Sequence, residues 1–276
     1  MIGAIIGDVC GSFREFARDK KKHLGLLPQQ DVISKEFGGK KVGLTDDSIL
    51  TLATSSVFLD KNWTDVQTHD FKTAYSIYAT MYRHPIGSYG SAFKRWIDNP
   101  VRPYNSCGNG SAMRVSPVVY ATMVDENATI DDVLYMAYKS ASVTHNHPEG
   151  IRGAQWVAMA IYYAKNGYTM DQIIKMAQTL HIGYQPIKML DHFDSICQET
   201  IPLAMNILMN TTSFNEAVLE AVTLPNADSD TLGAIVGSVA EALYGIPLDT
   251  IDMVKPYVDQ DEFLSSIFYE FKRIYY

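Results

Sequence analysis

Cysteine and long apolar runs are both scarce in this chain. Of its 276 residues, three are cysteines, at widely spaced positions 10, 107 and 197. This spacing excludes a disulfide scaffold and a CxxC metal pair, and it is typical of a reducing compartment. No stretch approaches the roughly 18 uncharged apolar residues of a membrane span. The first residues also lack the basic region and cleavage site of a signal peptide. We therefore expect a cytoplasmic protein with no membrane partner.

Basic residues are in deficit, with 23 Lys and Arg against 31 Asp and Glu and a net charge of -8. A stable nucleic-acid complex through a basic surface is therefore not expected. A small anionic ligand held by metal ions and backbone amides stays compatible with this charge. The one charge run, 18–22 (RDKKK), is interpreted as a solvated loop, with attraction of an anionic substrate as the alternative.

Alternating β-branched runs, the signature of strands, are nearly absent. Apolar residues instead recur at three- and four-residue steps, which predicts an all-α fold of ten or more helices in a single domain over 1–276. Small residues near Gly3 and Ala234 predict helices whose backbones approach closely. The clearest predicted helices are Ser48–Leu59, Asp131–Ser142, Ile151–Lys165, Met170–Leu180, Phe214–Thr223 and Asp230–Leu243.

Two acidic turns precede predicted helices, Thr45–Ser48 (TDDS) and Asp228–Thr231 (DSDT). Each alone is compatible with a helix cap, because carboxylates and hydroxyls accept hydrogen bonds from the first turn. Their oxygens are also the ligands that Mg²⁺, Mn²⁺ and Ca²⁺ prefer. If the two turns meet in space, they form one oxygen-lined cage with enough carboxylates for two metal ions.

Three further segments carry candidate chemistry. The Gly-rich run Gly108–Arg114 is typical of an anion-binding loop, although Asn-Gly is also a common turn. Arg114 is expected to pair with a phosphate or with a structural carboxylate. Between two predicted helices, His145 and His147 favour a contact to phosphate or ribose over a metal site. Glu15, in a loop after the first helix, is either a catalytic acid/base or a surface residue.

Taken together, the motifs resemble the ADP-ribosylglycohydrolase family. The resemblance extends from Met1 to about Pro247. Within the family, the sequence is similar to the compact bacterial-type branch, the dinitrogenase-reductase-activating glycohydrolases. One departure is Asn226-Ala227, where the family often has Gly-Gly; Asn tolerates the left-handed backbone, so the turn is expected to survive. The matching segments are GAIIGDVCGSFREF, LTDDSILT, YNSCGNGSAMRVSPV, SVTHNHPEGIRGAQ and ADSDTLGAIVGSVAEALYGIP.

The resemblance implies an orthogonal all-α bundle with a binuclear Mg²⁺ or Mn²⁺ site. It further implies that Glu15 is the acid/base, with Asp47 as the alternative. The residues that match metal ligands are Thr45, Asp46, Asp47, Asp228, Asp230 and Thr231. The residues that match the substrate pocket are Gly108, Asn109, Gly110, Ser111, Met113, Arg114 and His145.

The activity that the resemblance implies is hydrolysis at C1″ of ADP-ribose in an ADP-ribosylated protein or a small ADP-ribose conjugate, with release of ADP-ribose. The alternative is an ADP-ribose-binding module without turnover. The sequence leaves open the acceptor and its linkage, the choice between Mg²⁺ and Mn²⁺, and the oligomeric state.

Overall fold

The computed structural model of the chain describes residues 1–17, 19–22 and 25–276, without the side chain of Lys22. Within these ranges it contains 15 α-helices and two short 3-10 helices. The β-structure among the described residues is limited to two isolated bridges. No helix in the described part of the chain is long and apolar enough to cross a membrane. The predicted all-α fold is therefore confirmed.

The α-helices are numbered α1 to α15 in chain order, and the 3-10 helices are η1 and η2. Their bounds are α1 Ile2–Ser12, η1 Lys20–Lys22, α2 Gln30–Glu36, α3 Asp46–Ser56, η2 Trp63–Asp65, α4 Thr68–Met81, α5 Ser91–Asp98, α6 Gly110–Met113, α7 Ser116–Thr122, α8 Ile130–Ser142, α9 Pro148–Lys165, α10 Met170–Thr179, α11 Cys197–Asn210, α12 Phe214–Thr223, α13 Ser229–Tyr244, α14 Leu248–Val258 and α15 Glu262–Tyr275.

The six clearest predicted helices are all present, with ends displaced by zero to three residues. α3 begins two residues before Ser48, because the side chain of Thr45 caps the backbone N–H of Asp47. α9 begins three residues before Ile151, because Pro occupies its first position after the cap. Helices α11 and α14 were not among the six named in the sequence analysis, and each contains a proline, Pro202 and Pro256 respectively.

Helices α1 and α13 run antiparallel in the core with their backbones in direct contact. A Cβ added to Gly3 would lie 2.1 Å from the carbonyl oxygen of Gly237, and one added to Gly7 would lie 1.9 Å from that of Gly233. Every residue of α1 is buried. Only glycine permits this separation, as the small residues predicted. The antiparallel crossing places the end of α1 beside the start of α13.

The start of α3 is fixed to the same place by Asp8 of α1. Its carboxylate accepts hydrogen bonds from the backbone N–H groups of Thr45 (3.0 Å) and Ser48 (3.1 Å) and from both hydroxyls. A buried carboxylate thus satisfies N–H groups that the first turn of a helix leaves unpaired. The ends of three helices consequently converge on one point.

Replacing Gly7 by Ala is expected to destabilise the protein by about 3 kcal/mol or more, because the added methyl group meets backbone that has no rotamer to change. Chemical denaturation measures the loss. Gly90→Ala is the matched control, since nothing lies within 4 Å of its added Cβ. Equal stability of the two variants would contradict the close crossing.

Candidate active site

A cavity of about 390 Å³ opens where these helix ends meet. One side carries acidic groups and the other carries the glycine-rich loop. The acidic side is lined by Glu15, Asp46, Asp47, Asp228, Asp230 and Thr231. The opposite side includes Asn109, Gly110, Met113, Arg114 and His145. Most residues of both sequence-predicted sets thus share one cavity, whereas Thr45, Gly108 and Ser111 do not line it.

The two acidic turns, far apart in sequence, are in contact. The hydroxyl of Thr231 donates to Asp47 Oδ2 at 3.3 Å. Asp8, Asp47 and Asp230 each place a carboxylate oxygen within 4.8 Å of the others, and Glu15, Asp228 and Asp230 form a second such group. Asp230 belongs to both groups, so the two clusters are adjacent parts of one acidic centre.

Not every predicted ligand faces the cavity in the same way. Asp46 lines it but belongs to neither carboxylate group. The buried hydroxyl of Thr45 lies 2.7 Å from Asp8 Oδ1, to which it donates. Asp8, which is not among the ligands that the motifs predict, caps α3 and also joins the acidic cluster.

The acidic centre is electrostatically strained. Burial and the charge of Asp230 raise the pKa of Asp8 to about 7 and that of Glu15 to about 8. The same two causes raise the pKa of Asp46, Asp47 and Asp228 well above the usual carboxyl range. Each carboxylate therefore disfavours the charge of its neighbours, a situation that a bound cation reverses.

The donor set fits a hard divalent cation. Both groups consist only of carboxylates, with no thiol or imidazole that would favour Zn²⁺. Asp47 Oδ1 is buried and has no hydrogen-bond partner among the described residues. An unsatisfied buried carboxylate oxygen is costly unless it has a ligand. The residues present thus fit Mg²⁺ or Mn²⁺.

The glycine-rich loop contacts the acidic turn directly. The side-chain amide of Asn109 donates to Asp228 Oδ2 at 3.1 Å and to Thr200 Oγ1 at 3.3 Å. The side chain of Ser111 is buried and donates instead to the carbonyl of Gly150 at 2.6 Å. Asn109 therefore joins the two sides of the cavity, while the Ser111 hydroxyl attaches the loop to Gly150 of α9.

Arg114 lies at the end of this loop and is fully buried. Its guanidinium lies 4.0 Å from the ring centroid of Tyr75 and donates to Thr144 Oγ1 at 2.8 Å. No described carboxylate is paired with it, so the expectation of a structural ion pair is not met. His145 lines the cavity, whereas the Nδ1 of His147 caps α9 by accepting from Glu149 N.

Two residues that sequence reasoning did not assign support the Asp228 turn. Asp194 is buried and accepts from the backbone N–H of Asp228 at 2.5 Å and from Thr200 Oγ1 at 2.7 Å. Asp194 lies between α10 and α11, in a segment without the periodicity or motif that could have identified it from the sequence. Lys20 donates to Ser229 Oγ at 2.7 Å and to the carbonyl of Ala227.

The charge run 18–22 therefore differs from the solvated loop that was expected. Lys20 is buried, and Lys21 is exposed. Arg18 and the side chain of Lys22 lie outside the described residues. The departure at Asn226-Ala227 is accommodated as expected, since Asn226 adopts φ 62 and leads the chain into the turn.

The fold and this cavity define an all-α protein with an acidic, oxygen-lined centre beside an anion-binding type of loop. The family model for ADP-ribosylglycohydrolase matches residues 1–270. The chain therefore belongs to the ADP-ribosylglycohydrolase family and is a hydrolase of glycosidic bonds. Both predictions, of family and of enzyme class, are confirmed.

Relatives and a solved structure agree with this assignment. The chain is 24% identical to "ADP-ribosylarginine hydrolase Tri1" of Pseudomonas putida (strain GB-1), over 89% of this chain and 70% of that protein. It is 24% identical to "ADP-ribosyl-[dinitrogen reductase] glycohydrolase" of Rhodospirillum rubrum, over 89% of this chain and 84% of that protein. A solved "ADP-ribosylglycohydrolase-related protein complex" superposes with a TM-score of 0.71 at 20% identity, covering 100% of this chain and 97% of the other.

Replacing Asp230 by Asn is expected to stabilise the metal-free protein by about 1–2 kcal/mol, because one charge is removed from the crowded centre. The unmodified protein is expected to gain melting temperature in Mg²⁺ or Mn²⁺ through binding to the folded state alone, and Asp230→Asn is expected to abolish that gain. Thermal denaturation in EDTA and in each metal measures both effects. Asp60→Asn, at an exposed position, is the control. A variant that is less stable in EDTA, or that keeps the full metal shift, would contradict the interpretation.

Proposed function

We propose that this chain hydrolyses the glycosidic bond at C1″ of ADP-ribose in an ADP-ribosylated acceptor and releases ADP-ribose. The observation that carries the proposal is the pairing, in one cavity, of an acidic centre with a glycine-rich loop. The loop suits the anionic diphosphate, and the carboxylates suit the ribose end with its divalent ions. The relatives named above support ADP-ribosylated substrates.

In this proposal the loop holds the part of the substrate that does not react. The backbone N–H of Gly110, together with His145, binds the diphosphate, because the N–H of Gly108 already donates to Ser106 Oγ and that of Asn109 to the carbonyl of Ser195. Binding energy gained there positions the anomeric carbon at the acidic centre. The proposed substrate-binding residues are Gly108, Asn109, Gly110, Ser111, Met113, Arg114 and His145.

The acidic centre is proposed to hold two Mg²⁺ or Mn²⁺ ions. When bound, these ions supply Lewis-acid chemistry and orient the vicinal hydroxyls of the ribose. The proposed ligands are Thr45, Asp46, Asp47, Asp228, Asp230 and Thr231, and the structure adds Asp8 as a group that touches the same cluster. Cation binding relieves the mutual repulsion of these carboxylates.

Glu15 is the proposed acid/base, with Asp47 as the alternative. Glu15 follows the end of α1 and is half-buried, and the exposed Phe16 lies beside it on the cavity wall. This position suits transfer of a proton to or from the acceptor side of the scissile bond, where the leaving group departs. Asp47 is buried within the carboxylate cluster, farther from such an exit.

The first acceptor to test is arginine in a protein. The relative from Pseudomonas putida is named for ADP-ribosylarginine, and that from Rhodospirillum rubrum for ADP-ribosylated dinitrogen reductase. This similarity supports an ADP-ribosylated protein as the partner. The linkage is set by residues at the cavity mouth rather than by the ADP-ribose half.

A panel of arginine-, serine- and nucleic-acid-linked ADP-ribose conjugates, with O-acetyl-ADP-ribose, is expected to show release of ADP-ribose from at least the arginine linkage. Activity is expected with Mg²⁺ or Mn²⁺ and none with EDTA. Chromatographic detection of free ADP-ribose measures the reaction. Hydrolysis that is indifferent to EDTA would remove the metal site from the proposal. Tight ADP-ribose binding without turnover on any linkage would favour a binding module instead.

Asp46→Ala and Asp230→Ala are each expected to lower turnover by at least about a hundredfold, more than the loss of a group outside the metal shell typically does. Steady-state rates at saturating metal measure the effect. Asp60→Ala, exposed and outside the cavity, is the matched control. Rates near those of the unmodified protein in either variant would exclude that residue as a ligand.

A further inference from the structure

Thr144 joins the buried cation Arg114 to His145 of the cavity wall. Arg114 Nη2 lies 2.8 Å from Thr144 Oγ1, and the same oxygen lies 2.7 Å from His145 Nδ1. Thr144 is fully buried. Its hydroxyl also interacts with Tyr104.

The direction of these hydrogen bonds follows from the number of protons. A guanidinium can only donate, so Thr144 Oγ1 accepts from Arg114. The hydroxyl has one proton, and we assign it to the Nδ1 of His145 at 2.7 Å rather than to the phenol of Tyr104, which also interacts with this hydroxyl but has a proton of its own to donate. The positive charge of Arg114 polarises the Thr144 hydroxyl, which makes that hydroxyl a better donor to His145. The two hydrogen bonds therefore strengthen each other. Nδ1 then accepts, and the proton of a neutral imidazole lies on Nε2.

The charges around the ring also favour the neutral form. Burial, and next the nearby charge of Arg114, lower the pKa of His145 well below its usual value. The other titratable group that faces the ring is Tyr104, whose ring centroid lies 6.0 Å away. Burial raises the pKa of Tyr104 to about 12, so it adds no negative charge.

The Nε2 edge of His145 points at the glycine-rich loop. A Cβ added to Gly108 would lie 3.4 Å from Nε2, and one added to Gly110 would lie 3.3 Å from it. His145 is 5% exposed and lines the cavity, and Nε2 forms no hydrogen bond with a described residue. A ring nitrogen that faces the cavity without a protein partner is available to an acceptor atom of a ligand at that point.

We propose that Thr144 is a positioning residue which, oriented by Arg114, holds His145 with its Nε2–H directed between Gly108 and Gly110 to donate to a phosphate oxygen of the substrate. The phosphate part rests on the proposed function; the tautomer does not. The diphosphate thus receives a hydrogen bond from a neutral imidazole, and Arg114, which also lines the cavity, orients that imidazole through Thr144.

The ¹⁵N NMR spectrum of the histidine-labelled, metal-free protein tests the tautomer directly. His145→Gln identifies the signal of His145 among the seven histidines. We expect an unprotonated Nδ1 and a protonated Nε2 in the unmodified protein at neutral pH. A proton on Nδ1, or a rapidly exchanging mixture, would overturn the proposal, and this result needs no folded variant of Thr144.

Substitution of Thr144 then tests its role. Thr144→Val keeps the shape and the backbone but removes the hydroxyl; we expect a mixture of tautomers and about tenfold weaker binding of ADP-ribose in EDTA. That factor is about 1.4 kcal/mol, close to a hydrogen bond to a charged group. Thr144→Ser restores the hydroxyl and is expected to restore both. Calorimetry measures the affinity.

Thr122→Val is the matched control, since Thr122 is also fully buried and its hydroxyl has no hydrogen-bond partner among the described residues. It is expected to change neither the tautomer nor the affinity. Loss of affinity in Thr144→Ser as large as in Thr144→Val, or an unchanged tautomer in Thr144→Val, would overturn the role of Thr144. If the unmodified protein binds no ADP-ribose, the proposed function fails, while the NMR result still decides the tautomer.

Discussion

The contact between α1 and α13 determines where every other part of the site lies. Because Gly7 faces Gly233 with no side chain between them, the two helices approach more closely than any other residue pair would permit. The same contact fixes Asp8 and the start of α13 in one place. Asp8 then anchors the first turn of α3. A packing feature of the core thus brings together carboxylates that are far apart in sequence.

The acidic centre lowers the stability of the fold while it forms a group of oxygens that suits a divalent cation. Because these carboxylates are buried close together, the negative charge of each disfavours that of the next, as the raised pKa values of Asp8 and Glu15 show. The helix N-termini of α3 and α13 offset part of this repulsion through their dipoles. Lys20, buried against the second turn, supplies a positive charge. These devices reduce the repulsion but leave Asp47 Oδ1 without a partner among the described residues.

The sequence allowed the all-α class, the principal helices and the chemical type of the site to be predicted, because periodicity and carboxylate turns are local signals. It did not show that the two turns meet, since contact between distant segments depends on packing. Asp194 illustrates this limit. It accepts a hydrogen bond from the backbone of Asp228, a contact between distant segments that no local pattern around Asp194 predicts.

Hydrogen bonds connect the two sides of the cavity. Asn109 of the glycine-rich loop contacts Asp228 Oδ2, and Asp194 holds the backbone of Asp228 and the hydroxyl of Thr200, which Asn109 also contacts. These hydrogen bonds tie the position of the glycine-rich loop to one carboxylate of the acidic centre. Both sides of the cavity lie at helix ends rather than on long loops, which keeps the distance between them fixed, and a fixed distance between two groups that hold one substrate is what efficient chemistry in the proposed function requires.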